Sequence, residues 1–316
     1  MNPPMNEIVK PHTFACIGEC MVEFVETEKN SGHYKRRFGG DTLNTAIYLT
    51  RLMGRNGHVH YVTRLGRDSF SNVMIAAWRD ENIDCSLVDQ YEGRVPGLYM
   101  VETDERGERS FLYWRGEAPA REMFCGNCEP LLDRLNGFDT IYFSGITLAI
   151  LSQEGRTNLL RLIERRTKSG NATAYDPNFR RALWKDEKEA ALWNVRAIAN
   201  CTLVQPSVED LQNIFGEQHD ANGWIGKLVS LGAKDIVLKN GGRNVFTLVN
   251  KQREDFELNP ATLVIDTTGA GDSFNAGYLA SRVLGNSVAK SVANGHDLAA
   301  RVIQHPGAIM PAMATP

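Results

Sequence analysis

Between residues 140 and 238 short β-branched and aromatic runs alternate with longer amphipathic stretches, and this alternation limits the fold more than any other feature of the sequence. The runs 140–144, 172–175, 202–205 and 235–238 read as buried strands. Helices are predicted over 153–169, 185–199, 208–215 and 223–231. Strands separated by helices imply an α/β fold: a mostly parallel central sheet with helices on both faces. Ligands of such sheets bind beyond the carboxyl ends of the strands. Asp176-Pro177-Asn178, Gln205-Pro206-Ser207, Lys239-Asn240-Gly241-Gly242 and the turn at Gly269 all fall at such ends.

The N-terminal part begins the same way, with a strand at 13–18, a helix at 42–53 (apolar at Leu43, Ala46, Ile47, Leu49 and Leu52), a strand at 58–65 and a helix at 69–81. The middle changes character. From 97 to 114 apolar and polar residues alternate around Asp104-Glu105-Arg106-Gly107, which predicts a hairpin. On its second strand the two-residue period puts Phe111, Tyr113 and Arg115 on one face. Residues 19–38 are also strand-rich, so 19–38 and 91–118 are expected to form a small separate sheet, leaving 13–18, 39–90 and 119–316 for the core.

Composition removes several function classes. The 316 residues carry a formal net charge of -3, which offers no basic footprint for nucleic acid. No apolar run is long enough to span a membrane, and residues 1–12 lack the apolar core of a secretion signal, so a cytoplasmic protein is expected. Cys125-Gly126-Asn127-Cys128 has no second pair to complete a zinc site, and the six cysteines read as reduced thiols. Seven dispersed histidines read as surface or packed residues. Neither a Gly-x-x-x-x-Gly-Lys-Ser/Thr loop nor a Gly-x-Gly-x-x-Gly helix opening is present.

The chemistry concentrates in Asp266-Thr267-Thr268-Gly269-Ala270-Gly271-Asp272-Ser273-Phe274. A strand is expected before it, at 262–265, and an apolar helix after it. Glycines at a helix mouth let a ligand approach the backbone, and the free amides there attract an anion. Asp272 beside that site repels an anion unless it has a proton to accept. The combination points to phosphoryl transfer to a hydroxyl. The plainer alternative is a first-turn acid stabilising the helix dipole.

The nine-residue string resembles the PfkB/ribokinase family signature, Asp-Thr-x-Gly-Ala-Gly-Asp-x-Phe. Gly39-Gly40-Asp41-Thr42-Leu43-Asn44 resembles the family's sugar-contacting Gly-Gly-x-x-x-Asn segment, and His305-Pro306-Gly307-Ala308 its turn near the nucleotide. The resemblance implies a ribokinase-like fold with a β-lid over the sugar, ATP as donor, Mg²⁺, and a potassium-type ion near Asp266. It also implies direct in-line transfer with Asp272 as base. At an ordinary carboxylate pKa of about 4 such a base accepts the proton late. The amides of Gly269, Ala270 and Gly271 would then hold the phosphate charge.

Tyr99, Tyr113-Trp114-Arg115 and Asp176-Pro177-Asn178-Phe179-Arg180 are similar to the substrate residues of the 2-keto-3-deoxygluconate kinases within that family. The implied acceptor is an acid sugar, bound by Gly39, Gly40, Asn44, Tyr99 and Tyr113, with Arg115 and Arg180 gripping its carboxylate. The implied nucleotide contacts are Ser207, Lys239, Gly241, Gly269, Gly271 and Asn294. The family's Asn-x-x-Glu appears as Ser207-Val208-Glu209-Asp210, which leaves Asp210 to reach the metal through water. Asn244 stands where a second glycine is common. Pairing of lids into homodimers is a further expectation. A fructokinase-like neutral-sugar kinase and a non-catalytic sugar- or nucleotide-binding regulator are the alternatives.

Overall fold

Strands buried on both faces need nearly continuous apolar sequence, and Phe14–Ile17 and the whole of 140–144 meet that demand: all nine residues are buried. The computed structural model describes residues 10–27, 31–103 and 109–315; the hairpin turn 104–107 and residues 1–9 of the N-terminal segment lie outside them. The strands are β1 (His12–Ile17), β2 (Met21–Glu26), β3 (Tyr34–Gly39), β4 (Gly57–Gly66), β5 (Val88–Tyr91), β6 (Leu98–Thr103), β7 (Arg109–Trp114), β8 (Thr140–Ser144), β9 (Ala172–Asp176), β10 (Leu203–Val204), β11 (Asp235–Asn240), β12 (Asn244–Val249) and β13 (Gln252–Glu257). The α-helices are α1 (Asp41–Met53), α2 (Ser69–Asp80), α3 (Glu129–Asn136), α4 (Gly145–Ile150), α5 (Gln153–Lys168), α6 (Glu187–Asn200), α7 (Val208–Phe215), α8 (Ala221–Ser230), α9 (Ala270–Val283) and α10 (Val288–Val302).

The main sheet runs β13-β12-β11-β10-β9-β8-β1-β4-β5. It is parallel from β5 to β11 and ends in the antiparallel hairpin β12–β13. One face is covered by α3 and α5–α8, through Leu132, Leu159, Ile163, Trp193 and Trp224. The other is covered by α1, α2, α9 and α10, through Leu49, Met74, Trp78, Leu279 and Leu298. The chain leaves β1 toward β4 on one side and returns to β8 on the other, so the strand order switches at β1. In open parallel sheets a crevice forms at such a switch. The small sheet, β3-β2-β6-β7, is antiparallel except for the β2–β6 pair and lies across that crevice.

Several expectations change. Helix α1 is buried at every residue from Asp41 to Leu49 rather than on one face, because it is wedged between the sheet and α9. Residues 262–265 form no strand; Leu263, Val264 and Ile265 are each more than half exposed. The free edge of β11 is taken by β12, and the amides of Ile265 and Asp266 instead donate to the carbonyl of Ile303 (2.8 and 3.1 Å). The β12–β13 hairpin was not expected. It turns at Asn250 and Lys251, both with positive φ (51° and 63°), which suits a two-residue hairpin loop. Arg115 follows the end of β7 and turns inward instead of continuing the face of Phe111 and Tyr113.

Arg166 on α5 carries a fully buried guanidinium that donates to the carbonyls of Leu135, Asn136, Phe138, Asp139 and Ala172. It closes the amino ends of β8 and β9 against α3. The Arg166→Met variant strands those carbonyls and should lose about 3 kcal/mol or more in urea unfolding. A loss below about 1 kcal/mol would reject this structural role.

Candidate active site

Gly39 closes β3 and Gly40 caps α1, which carries Asp41 and Asn44 into the crevice. A Cβ at Gly39 would stand 2.2 Å from the Tyr99 hydroxyl, so only glycine admits the tyrosine there. Opposite, Gly269 caps α9 in the left-handed region (φ 78°) and lies against Ala308. Asp266 holds this turn. Its Oδ1 accepts from the amide and hydroxyl of Thr268 (3.1 and 2.7 Å), and its Oδ2 from the amide of Gly307 (2.7 Å). The Ala270 amide bends back to the Thr267 carbonyl (3.2 Å) and is not a bare donor, contrary to expectation. Among the described residues nothing accepts from the amides of Gly269 and Gly271, and both residues line the crevice.

Asp272 sits in the first turn of α9, 8% exposed. Asn44 Nδ2 donates to its Oδ2 (2.8 Å), and the Thr45 hydroxyl donates to its carbonyl (3.2 Å), tying α1 to α9. Burial, then the negative charge of Asp41, raise its pKa to about 7; Asp176 adds to the rise, while Asn44 and Lys239 oppose it. The ordinary value used in reading the sequence does not apply here. Asp41 itself accepts from Asn178 Nδ2 (2.9 Å).

Lys239, at the end of β11, is buried beside the same turn. Its Nζ donates to Asp176 Oδ2 (3.2 Å) and Asn275 Oδ1 (3.0 Å), and lies 3.8 Å from where a Cβ on Gly271 would be. Asn275 Nδ2 bridges Asp176 Oδ2 (2.6 Å) and the Tyr142 hydroxyl (3.1 Å). Burial raises the pKa of Asp176, with Lys239 pulling it down. An ammonium and two bare amides thus line the same crevice as a carboxyl of near-neutral pKa.

The crevice has a volume of about 1720 Å³, room for two substrates rather than one. Asn44, Tyr99, Tyr113, exposed Arg180, Ser207, Asp210, Lys239 and Gly241 all line it. Tyr99 donates to Glu23 (3.0 Å), and its ring lies 5.7 Å from that of Tyr113. Ser207 and Asp210 form a capping box on α7: Asp210 Oδ2 accepts from the Ser207 amide and hydroxyl, and Oδ1 from the Phe179 amide (2.7 Å). Three expected residues are not among those lining the crevice. Asp266 lies beneath the Gly269 turn that it holds. Arg115 pairs with buried Glu19, and Asn294 Nδ2 donates to the Ser281 hydroxyl (3.0 Å). Asp41 and Asn275 carry no site role in the sequence reading, although Asp41 stands inside the Gly-Gly segment; their part is visible only through their contacts with Asn178 and Asp176.

A proton acceptor adjoining a cationic anion cradle, with space for two ligands, defines a phosphotransferase site. A family model described as pfkB family carbohydrate kinase matches residues 12–315, and the chain belongs to that family. It is 41% identical over 313 residues to the 2-dehydro-3-deoxygluconokinase of Escherichia coli K12, covering 96% of this chain and 98% of that one. It is 38% identical over 309 residues to the enzyme of the same name from Dickeya dadantii, with the same coverage. Among solved structures, a PfkB protein from Polaromonas sp. JS666 superposes with a TM-score of 0.82 at 23% identity, covering 94% of this chain and 98% of that one, a likeness of fold.

A base with a pKa of about 7 is ionised above that pH and protonated below it. The ratio kcat/KM for the acceptor should therefore fall about tenfold per pH unit below 7 and level off above it. Asp41→Asn removes the neighbouring charge and should move the limb to lower pH. A limb near pH 4, or one that Asp41→Asn leaves in place, contradicts this origin of the shift.

Proposed function

We propose that this protein transfers the γ-phosphoryl group of ATP to the primary hydroxyl of 2-keto-3-deoxygluconate (2-dehydro-3-deoxygluconate), giving the 6-phosphate. The observation that carries the reading is Asp272, buried at a pKa of about 7 beside the bare amides of Gly269 and Gly271. The relatives' names and their near-complete coverage support the choice of acceptor. Asp272 accepts the hydroxyl proton as the oxygen attacks the phosphorus in line with the leaving ADP oxygen. Gly269, Gly271 and Lys239 stabilise the charge on the group in flight, one such donor being worth roughly 3 kcal/mol. Gly241, Ser207 and Asn294 are assigned to the nucleotide; Asn294 reaches it only by releasing Ser281.

The donor set suits Mg²⁺ held mainly by phosphates and water: Asp210 Oδ1 takes a single protein donor and keeps a lone pair for a metal-bound water. Bound there, Mg²⁺ neutralises charge on the phosphate oxygens. Asp266 is the proposed residue for a potassium-type ion, its oxygens already oriented by Thr268 and Gly307. Exchanging K⁺ for tetramethylammonium in the kinase assay tests that assignment.

The small sheet acts as the lid over the sugar. Tyr99, Tyr113, Gly39, Gly40 and Asn44 contact sugar oxygens, and the Arg180 guanidinium meets the carboxylate. Arg115 joins it by exchanging Glu19 for the substrate carboxylate. Burial pushes the Glu19 carboxyl up, with Arg115 pulling it down, so Glu19 can be left neutral when the arginine departs. A neutral ketose such as fructose is the second reading, favoured by one observation: Arg115 is already paired with Glu19. Lid residues Phe111, Leu112 and Trp114 are 43–57% exposed and offer a homodimer contact, which light scattering should register as twice the 35.2 kDa chain mass. Use of ATP puts the protein in the cytoplasm.

A substrate panel read by ³¹P NMR decides the acceptor: turnover with fructose and none with 2-keto-3-deoxygluconate rejects the acid-sugar reading. Arg180→Ala should raise KM for the acid sugar at least about tenfold with a smaller change in kcat. Asp272→Asn should lose at least about 10³ in kcat while still binding ATP. Undiminished turnover would remove the base from the mechanism, and absence of turnover in the parent chain would favour a regulator.

A further inference from the structure

At the amino end of the main sheet, away from the crevice, His58 and His60 project from the same face of β4 toward Asp84. The two imidazole nitrogens and the carboxylate oxygens lie within 4.8 Å of one another. We propose that His58, His60 and Asp84 form a binding site for a borderline divalent cation of the Zn²⁺ type.

The distances favour a cation over simple ion pairs. His60 Nδ1 is 3.3 Å from Asp84 Oδ1, and His58 Nε2 is 3.5 Å from Asp84 Oδ2. A charge-assisted N–H···O bond is closer to 2.8 Å. Ligands about 2.0–2.1 Å from a tetrahedral ion stand about 3.3 Å apart. His60 Nδ1 is buried and has no hydrogen-bond partner. His60 Nδ1 thus faces Asp84 Oδ1 at the separation expected of two ligands of one tetrahedral ion.

The scaffold is fixed before any ion arrives. The Asp84 amide donates to the Val59 carbonyl (2.9 Å), and the Tyr61 amide to the Asp84 carbonyl (3.1 Å), so the aspartate backbone is bridged in parallel to β4 opposite His60. The Ser86 amide holds Asp84 Oδ1 (2.7 Å), the kind of second partner that orients a ligating carboxylate. The His60 ring packs edge-on against Phe138, 4.8 Å between centroids. Exposed His58, on the solvent side, gives an ion its way in. Two imidazoles and one carboxylate leave a fourth position for water. Histidines look dispersed along the chain, yet this pair is two residues apart on a strand, the spacing that puts both on one face.

The test is calorimetric titration of the chelator-treated protein with Zn²⁺ at pH 7.5 in 5 mM Mg²⁺, paired with the absorption spectrum of the Co²⁺-loaded protein. The wild-type chain should bind one equivalent with a micromolar or lower Kd and give the intense visible bands of tetrahedral Co²⁺. His58→Ala, an exposed change, should bind at least tenfold more weakly and lose those bands, with kcat for phosphoryl transfer unchanged. Asp84→Asn should weaken binding similarly. Equal binding by wild type and His58→Ala places the ion elsewhere and overturns the proposal, as does a wild-type protein that binds no Zn²⁺ at micromolar concentration.

Discussion

The site depends on keeping a carboxylate out of water between two helices. Removing a charge from solvent is costly unless it is shared, hydrogen-bonded or neutralised by a proton. Asp272 uses all three outlets: Asn44 donates to it, Lys239 lies within electrostatic reach, and its raised pKa admits a proton near neutrality. The hydrogen bond from Asn44 also fixes the relation of α1 to α9, so the two walls of the crevice that they carry keep one spacing.

The same economy governs the edge of the crevice. Glu19 follows β1, Arg115 follows β7, and their pairing links the core to the small sheet. An ion pair this deeply buried is sensitive to any third charge, because little solvent screens it. A carboxylate brought up to it would be such a charge.

Much of this was legible in the sequence, for physical reasons. Parallel strands such as β1 and β8 announce themselves because both faces are buried, and the Gly269 turn does so because few residues tolerate its backbone. The run 262–265 misled because apolarity resembles a strand even where no edge is open to receive it. The β13 segment is largely charged and exposed, so its pairing with β12 left no pattern to read. Conversely, Phe111 and Tyr113 kept the face their period predicts, while the partner of Arg115 is 96 positions away and beyond any local signal. The basicity of Asp272 was hidden for the same reason, since it arises first from burial and then from Asp41 and Asp176, all of them brought about only by the fold.

The antiparallel return from β11 to β12 has a consequence for how such proteins diversify. It places the glycines at 241 and 242 on a tight reversal between two adjacent strands, where no crossover helix must be threaded. Loops of this kind accept changes of length and composition with little thermodynamic penalty. Asn44, Tyr99 and Tyr113, by contrast, stand on α1, β6 and β7, which the core and the small sheet hold in register. The two ends of the crevice are therefore held with unequal stringency: the glycine turn can change in length and composition, whereas a shift of any of those three side chains must drag a paired element with it.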